Sequence, residues 1–228
     1  PLNADNSAKP SGPPSGPLSG VRVLDMTAVL MGPYCTQILS DLGADVIKIE
    51  SPEGDITRQI GPGLRDGNSG LYYTLNRGKR SVLLDLKRDD AKAAVLKMVE
   101  TCDVFVHSVR APAMKRLGLT YDTLSAVNPG LVYANLYGFG LGGCYAGQPA
   151  YDDVIQGMTG VPHLEAQAAG EPRYLANVMA DKVSGLSAAY AIMAALFAHA
   201  KTGVGQEVSI SMFETMSAFM LTEHMTGA

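Results

Sequence analysis

Two charged residues stand near the start of the stretch VMADKVSGLSAAYAIMAAL, residues 178–196, and the rest of that stretch is uncharged. They are Asp181 and Lys182. An aspartate at the start of an apolar helix often caps it, and from residue type alone the cap is the more common role. The alternative role is a nucleophile that forms a covalent intermediate with a substrate. Both roles are compatible, because a helix N-terminus favours the ionised carboxylate, which is the nucleophilic form.

Other residue types that often carry chemistry are scattered along the chain. The three cysteines are Cys35, Cys102 and Cys144, and the four histidines are His107, His163, His199 and His224. Their spacing matches no zinc site, so no metal site is expected, and reduced cysteines of a cytoplasmic protein are expected. The net charge is −4 and no Lys/Arg-rich run is present, so nucleic acid is not an expected partner.

Short apolar segments alternate with helical patterns in the first part of the chain. Strands are predicted at 21–26, 45–50, 81–86, 103–108 and 131–139, and helices at 33–44, 71–77, 89–100, 113–117 and 121–127. This alternation predicts an α/β fold in which helices cover both faces of a Rossmann-like parallel sheet. A ligand site is then expected at the carboxyl ends of the strands.

The second part of the chain is more helical. A helix is predicted at 151–160, an irregular segment at 163–177, a long helix at 182–200, a strand at 207–214 and an apolar helix at 213–225. Residues 186–200 form the most apolar segment, but it is shorter than the roughly 20 residues that a membrane span needs. A core helix without membrane association is therefore expected. Because the chain stops just after an apolar helix, we expect it to be a fragment.

Common nucleotide-binding and hydrolase motifs are absent from the sequence. The loop after the first strand, TAVLMGP, lacks the GxGxxG glycines that let a dinucleotide pyrophosphate approach the backbone. The sequence also lacks a P-loop signature and a GxSxG nucleophile elbow. A conventional NAD site, a P-loop nucleotide site and a hydrolase serine are therefore not expected.

Five blocks of the sequence, taken in order, resemble CoA-transferase family III. This family includes formyl-CoA transferase, carnitine CoA-transferase and α-methylacyl-CoA racemase. The resemblance covers the chain beyond its first 17 residues, which are rich in Pro, Ser and Gly. The blocks are LSGVRVLDMTAVLMGPYCTQILSDLGADVIKIESPEGD, NRGKRSVLLDLK, RLGLTYDTLSAVNPGLVYANLYGFG, YDDVIQGMTG and ADKVSGLSAAYAIMAALFAHAKTGVGQEVSISMFE.

The resemblance implies a domain organisation and an assembly. Residues 1–17 are expected to be a flexible tail, residues 18–212 a Rossmann-like CoA-binding large domain, and residues 213–228 the start of a linker to a small domain that is mostly missing. Members of the family are cytoplasmic enzymes that form interlocked homodimers. They use a coenzyme A thioester as substrate without a tightly bound cofactor. The partners that the resemblance implies are an acyl-CoA and a small carboxylic acid.

Asp181 takes the place of the family's catalytic aspartate, which opens a long apolar helix. Ala180 replaces the glycine that often precedes this aspartate. In the chemistry that the resemblance implies, the aspartate attacks an acyl-CoA thioester, and aspartyl anhydrides and an aspartyl-CoA thioester follow. The chain is therefore expected to belong to an enzyme that transfers CoA from an acyl-CoA donor to a carboxylic acid acceptor.

Tyr151 separates transferases from racemases within this resemblance. The racemases carry a histidine at this place and use it with the aspartate to move a proton. Tyrosine is a poorer partner for that exchange, because its ordinary pKa is near 10. CoA transfer is therefore favoured, and a 2-methylacyl-CoA racemase or epimerase and an inactive CoA-binding fragment stay as alternatives. The neighbouring Asp152 and Asp153 are interpreted as a solvated face without a role.

The resemblance also assigns residues to the CoA site. The pantetheine arm is assigned to Val29, Leu30 and Met31, the nucleotide to Leu84, Lys87, Ser108 and Val109, and a phosphate to Arg116, whose guanidinium suits phosphate geometry. The sequence departs from the family's pattern at three places. An Asn-Phe pair that is frequent in the family is replaced by Ser108-Val109. Ser51 stands where formyl-CoA transferase has an arginine, and Ala28-Val29-Leu30 replaces the His-x-Gln stretch of that enzyme. CoA binding is still expected, but the formate–oxalate pair of acids is not.

Overall fold

The structure is a computed structural model that describes residues 15–65 and 68–226. Its strands are β1 (Arg22–Met26), β2 (Asp45–Glu50), β3 (Gly63–Arg65), β4 (Asn68–Ser69), β5 (Arg80–Leu83), β6 (Val104–His107), β7 (Val132–Tyr137) and β8 (Gln206–Ser211). Its helices are α1 (Met31–Asp41), α2 (Gly70–Asn76), α3 (Asp89–Val99), α4 (Ala111–Leu117), α5 (Tyr121–Val127), α6 (Asp152–Met158), α7 (Val161–Ala169), α8 (Met179–Thr202) and α9 (Met212–Met225).

Six strands form one parallel sheet in the order β5-β2-β1-β6-β7-β8. On β1, Val23 lies opposite Val46 of β2 on one side and Val104 of β6 on the other. The chain builds the sheet outwards from β1 to β5 and then returns to place β6 beside β1. This reversal creates a switch point between β1 and β6, where the carboxyl ends of the strands border a crevice. The predicted Rossmann-like parallel sheet with flanking helices is confirmed.

Each face of the sheet has its own apolar core, because successive side chains of a strand point to opposite faces. Val23 packs with residues of α1, α8 and α9 on one face. Leu24, the next residue, packs with residues of α3, α4 and α5 on the other face. Helices α1 and α8 therefore share one face, and this arrangement brings the first turn of α8 close to the loop between β1 and α1.

Glycines allow α1, α8 and this loop to approach one another closely. A Cβ atom on Gly185 of α8 would lie 2.7 Å from the carbonyl oxygen of Met31 and 3.0 Å from Cδ1 of Tyr34. A Cβ atom on Gly32 of α1 would lie 2.3 Å from Cβ of Thr27. Only hydrogen fits at either position, so Gly185 sets the distance between α8 and α1, and Gly32 lets the start of α1 pack on Thr27.

Several predicted boundaries are wrong. The long helix begins at Met179 instead of residue 182, and it ends at Thr202. The segment 163–177 is not irregular throughout, because α7 covers Val161–Ala169. Pro162 stands in its first turn, where a missing N–H costs nothing, and Gly170 ends it with a φ of 86°.

Two strands end three residues earlier than predicted. The strand at 81–86 ends at Leu83, so Leu84 belongs to the loop that follows β5. The strand at 207–214 ends at Ser211, because α9 already begins at Met212. Residues 213–214, which lay in both the predicted strand and the predicted helix, therefore belong to the helix.

Helix α8 is a core element of the described residues. Ala188 and Ile192 are fully buried in the same core as the sheet. Within residues 15–65 and 68–226, α8 is also the one helix that is long and apolar enough to cross a membrane, by length and composition alone. The expected lack of membrane association stays a prediction.

The predicted tail before the large domain is described only in part, whereas most of the segment after residue 212 is described. Residues 1–14 of the predicted tail lie outside the described residues. The turn that follows them is held to the end of α1, since the N–H of Leu18 donates to the carbonyl oxygen of Leu42 at 2.9 Å. At the other end, Met216 and Met220 of α9 pack in the same core as the sheet. The domain boundary after residue 212 stays a prediction.

Candidate active site around Asp181

Asp181 lies in the first turn of α8, and it is not the N-cap of that helix. The N-cap is Val178, which has no side-chain hydrogen bond to the helix. The carboxylate of Asp181 instead accepts a hydrogen bond from the backbone N–H of Met31, with Oδ1 at 3.1 Å. Met31 is the first residue of α1. The carboxylate therefore connects the N-terminal turns of two helices, and the cap interpretation is wrong for the side chain.

Asp152 accepts a backbone N–H in the first turn of α8, the capping role that was considered for Asp181. Its Oδ1 accepts the backbone N–H of Asp181 at 3.0 Å. Its Oδ2 accepts Nε2 of Gln156 at 2.5 Å. Asp152 is also buried, so its interpretation as a solvated residue without a role is wrong. Asp153, by contrast, is exposed.

The pKa of Asp181 is raised from 3.8 to about 6. Burial is the largest cause and the charge of Asp152 is the second, while the N–H of Met31 acts in the opposite direction. Burial and a neighbouring carboxylate thus outweigh the helix N-termini, contrary to the expectation that the helix would favour ionisation. Near neutral pH the ionised form still dominates, and it is more basic than an ordinary aspartate.

Gln156 holds the segment that leads into α8. Its Oε1 accepts the N–H of Leu175 at 3.0 Å, and its Nε2 donates to the carbonyl oxygen of Asn177, also at 3.0 Å. Gln156 is buried, so its amide replaces water for these backbone groups. Together with Asp152, one turn earlier on α6, it fixes the approach to Asp181. The motif YDDVIQG carries both residues at a spacing of four, and this spacing is the signal that was missed.

The loop between β1 and α1 has a strained backbone. Val29 has a φ of 70°, a value that a β-branched residue rarely adopts. Its N–H lies 3.4 Å from Oδ1 of Asp55. The N–H of the preceding Ala28 donates to Oγ of Ser108 at 3.2 Å. Side chains from two other segments thus hold this loop in a conformation that it would not adopt alone.

Buried charges support the loop from below. Nζ of Lys48 lies 2.9 Å from Oδ2 of Asp55 and donates to the carbonyl oxygen of Thr27 at 2.8 Å. Asp25, at the carboxyl end of β1, lies 3.1 Å from Nζ of Lys79. Burial opposes ionisation of Asp25, but the charges of Lys79 and Lys48 hold its pKa well below the usual range.

Glu50, at the carboxyl end of β2, is the next acid in this network. It accepts hydrogen bonds from Arg58 at 2.7 and 2.9 Å, from Ser81 at 2.5 Å and from Tyr72 at 3.0 Å. Burial would raise its pKa, but the hydrogen bonds, led by that from Arg58, lower it to about 2. The N–H of Asp55 donates to it as well, at 2.8 Å. Glu50 therefore stays ionised and holds Asp55, whose Oδ1 in turn lies near the N–H of Val29.

A buried histidine supports the other side of the crevice. Nε2 of His107 lies 2.8 Å from Oδ1 of Asn135, and Nδ1 accepts the N–H of Val109 at 3.2 Å. Because Nδ1 is an acceptor, Nε2 carries the proton. Burial lowers the pKa of His107 to about 4, so the ring is neutral. It therefore fixes the backbone of Val109 without contributing charge.

Three clefts meet at the strained loop. The edge cleft, of about 400 Å³, lies at the ends of β1, β2 and β5 and is lined by Ala28, Leu84, Lys87 and Val109 among others. The aspartate cleft, of about 150 Å³, is lined by Ala28, Val29, Leu30, Met31, Ser108, Tyr151 and Asp181 among others. The outer cleft, of about 900 Å³, lies beyond Asp181. Ala28 lines both the edge cleft and the aspartate cleft.

Most of the site residues inferred from the resemblance thus line two adjoining clefts. Tyr151 is 68% exposed and stands at the N-cap of α6. Arg116 is exposed on α4 and does not line any of the three clefts. Within the described part of the chain, no group of three His, Cys, Asp or Glu side chains could hold a metal ion.

Comparison with known proteins identifies the family of this chain. The model of CoA-transferase family III matches residues 18–228. The chain is 38% identical over 215 residues to the succinate–glutarate CoA-transferase of Agrobacterium fabrum, covering 91% of this chain and 54% of that protein. It is 41% identical over 216 residues to the acetyl-CoA:oxalate CoA-transferase of Acetobacter aceti, covering 93% of this chain and 54% of that protein.

A solved structure of a CAIB/BAIF family protein from Brucella suis has the same fold. Its TM-score is 0.89 at 37% identity, and the match covers 93% of this chain and 58% of that chain. The chain spans about half the length of the curated relatives that it matches. The extent and identity of these matches establish that the chain belongs to CoA-transferase family III.

Proposed function

We propose that the protein transfers CoA from an acyl-CoA to a carboxylic acid, with Asp181 as the nucleophile. The observation that carries this proposal is the position of the Asp181 carboxylate in the walls of both the aspartate cleft and the outer cleft. From there it can meet a thioester from one side and a free acid from the other. The relatives' names support the proposal, since they describe CoA transfer that involves succinate and glutarate or acetyl-CoA and oxalate.

CoA would extend from the edge cleft past Ala28 to Asp181. The nucleotide end would lie against Leu84, Lys87 and Val109 of the edge cleft, and the pantetheine arm and thioester against Val29, Leu30, Met31, Ser108 and Tyr151 of the aspartate cleft. Lys87 would supply a cation for a phosphate. Arg116 would contribute only to a phosphate that reaches the surface of α4.

The reaction begins with attack of an Asp181 oxygen on the thioester carbonyl. The C–S bond breaks, CoA leaves as a thiolate, and an acyl–aspartyl anhydride forms. The thiolate then attacks the aspartyl carbonyl, which releases the donor acid and gives an aspartyl-CoA thioester. The acceptor carboxylate attacks this thioester, its C–S bond breaks so that the CoA thiolate leaves again, and a second anhydride forms. The thiolate finally attacks the acceptor's carbonyl in that anhydride, so that acceptor-CoA forms and Asp181 is regenerated.

The environment of Asp181 suits both halves of this cycle. The N–H of Met31 orients the carboxylate, and its raised pKa makes the ionised oxygen a stronger nucleophile. Burial also favours the uncharged acylated forms over the free carboxylate. The carboxylate is therefore destabilised in the state from which it must react.

A racemase or epimerase of 2-methylacyl-CoA is the second candidate. One observation favours it, because a carboxylate whose pKa is about 6 is also a good general base near neutral pH. The reaction needs a second proton carrier on the other side of the substrate carbon. Racemases of the family use a histidine for this purpose, and Tyr151 takes the place of that histidine in this chain. An inactive CoA-binding chain remains the third candidate.

The assembly and the compartment follow from family membership as proposals. We infer a homodimer, with acyl-CoA and a small acid as the ligands and no tightly bound cofactor. We infer a cytoplasmic location, in which the free cysteines Cys35, Cys102 and Cys144 stay reduced.

The proposal is tested by incubating the protein encoded by the complete gene with a panel of acyl-CoAs and carbon-13-labelled acids. Mass spectrometry of the CoA thioesters reports transfer, and an Asp181→Ala variant serves as the inactive control. Labelled acyl-CoA that forms with wild type alone supports the proposal. If no acid receives CoA, while a 2-methylacyl-CoA exchanges its α-proton in heavy water, the racemase is the correct function.

A further inference from the structure

The outer cleft contains a cation that the proposed chemistry does not use. Lys182 lines this cleft beside Asp181, and so do Asp152 and Asp153. Among the described residues that line the cleft, Lys182 is the one lysine or arginine. The described residues include no ion pair that involves Lys182 within 4.0 Å. Its ammonium group therefore stands outside any direct ion pair, in the wall of a cleft next to Asp181.

The ammonium group of Lys182 is held in place by a neutral partner. Nζ donates to Oδ1 of Asn177 at 2.8 Å. The carbonyl oxygen of Asn177 is held in turn by the buried Gln156 at 3.0 Å. An ammonium group has three N–H donors, so the contact with Asn177 orients the group and leaves donors for a ligand. The same buried amide that fixes the approach to Asp181 thus also fixes the position of this cation.

Lys182 forms no ion pair with Asp181 within 4.0 Å in the described part of the chain, and its Nζ contacts Asn177 instead. Nor is Lys182 paired with the other acids of the cleft. Both oxygens of Asp152 accept hydrogen bonds from other groups, and Oδ1 of Asp153 accepts the N–H of Val154.

We propose that Lys182 binds a second carboxylate of the acid that exchanges CoA at Asp181, and thereby selects dicarboxylic over monocarboxylic acids. This inference rests on the proposed function of the site. An acid with a second carboxylate would be repelled by three aspartates unless a cation paired with it. A charge-assisted hydrogen bond from Lys182 provides that pairing. The size of the outer cleft, about 900 Å³, leaves room for the chain between the two carboxylates.

The test compares glutarate with pentanoate, which has the same number of carbon atoms and one carboxylate. Both acids are assayed as CoA acceptors with wild type, Lys182→Gln and Lys182→Arg, each in the protein encoded by the complete gene. For glutarate, Lys182→Gln is expected to lower kcat/KM by about tenfold to hundredfold, mainly through KM, as loss of a hydrogen bond to a charged group implies. Lys182→Arg should recover most of this loss, and pentanoate should be used equally by all three proteins.

A matched control is Lys201→Gln, at the far end of the same helix, which should change neither substrate's kinetics. The proposal is overturned if Lys182→Gln slows glutarate and pentanoate equally, or if it leaves glutarate unaffected. Failure of the proposed function itself looks different, because then no acid receives CoA from any donor. In that case, a ligand-observed NMR titration with glutarate still tests whether Lys182 contributes to binding of the acid. Weaker binding to Lys182→Gln than to wild type supports the subsite, and equal binding overturns it.

Discussion

The backbone N–H of Asp181 donates to the carboxylate of Asp152 at 3.0 Å, so the proposed nucleophile and a second acid occupy one hydrogen-bonded unit. This contact has two effects. It fixes the first turn of α8, and it places a negative charge that raises the pKa of Asp181 together with burial. The position of Asp181 and its pKa thus both depend on Asp152.

The first prediction concerns the pH profile of Asp152→Asn. The substitution removes the charge and keeps an oxygen that can accept the N–H of Asp181. The pKa of Asp181 should then fall below about 6, and the acid limb of kcat/KM against pH should move down by about half a unit to one unit. Asp153→Asn is the matched control, because it changes the exposed neighbour. A limb that moves equally in both variants would contradict the assignment.

The second prediction concerns stability. The folded-state pKa of Asp181, about 6, lies above the ordinary value of 3.8. Between these values the folded protein binds more protons than the unfolded chain, so the group's contribution to stability falls as pH rises. Asp181→Asn should therefore increase the free energy of unfolding at about pH 7.5, by at most about 3 kcal/mol. Urea unfolding should show a markedly smaller gain at about pH 4, and an equal gain at both values would refute the linkage.

The third prediction concerns the contact between α1 and α8. Gly185→Ala would place a Cβ atom 2.7 Å from the carbonyl oxygen of Met31. The helices must separate, which should cost about 1–3 kcal/mol of stability and lower the rate of CoA transfer by weakening the bond between Met31 and Asp181. Gly142→Ala is the control, since nothing lies within 4 Å of its Cβ position. Unfolding and activity measured on both variants check the prediction, and a Gly185→Ala protein that matches wild type would disprove it.

The fourth prediction concerns the buried charges below the loop. Lys48 and Asp55 are both 1% exposed and lie 2.9 Å apart. Lys48→Met leaves the buried carboxylate without its partner, so a loss of about 3–5 kcal/mol is expected. The double variant Lys48→Met/Asp55→Leu should recover much of this loss. Arg80→Met, in the exposed pair with Asp45, should cost less than about 1 kcal/mol. Urea unfolding of the three variants distinguishes a coupled pair from two independent effects.

The sheet could be predicted from the sequence because its four central strands, β2, β1, β6 and β7, are largely buried. The runs DVIKIE and DVFVHS each carry three apolar residues, most of them β-branched. Helix α7 was missed because its pattern HLEAQAA has weak apolar periodicity and a glycine adjoins each of its ends, Gly160 and Gly170. Its start at Gly160-Val161-Pro162 was the available signal.

The site could be predicted only in part, for a physical reason. Asp181 stands out as the acidic residue of an apolar segment, and family resemblance gives it a role. Which group caps α8 depends on where the helix begins, and that differs by three residues from the sequence pattern. The contact between Asp152 and Asp181 joins residues 29 positions apart. Neither the burial of Asp152 nor the raised pKa of Asp181 follows from local sequence.

In the proposed reaction Asp181 forms a covalent bond first to the acyl group and then to CoA. The most direct measurement adds hydroxylamine to the protein encoded by the complete gene during incubation with an acyl-CoA, followed by peptide mass spectrometry. We expect a hydroxamate on the peptide that contains Asp181, and none in Asp181→Ala. If the protein transfers CoA to an acid without any hydroxamate at Asp181, or with a hydroxamate at another residue, Asp181 is not the nucleophile.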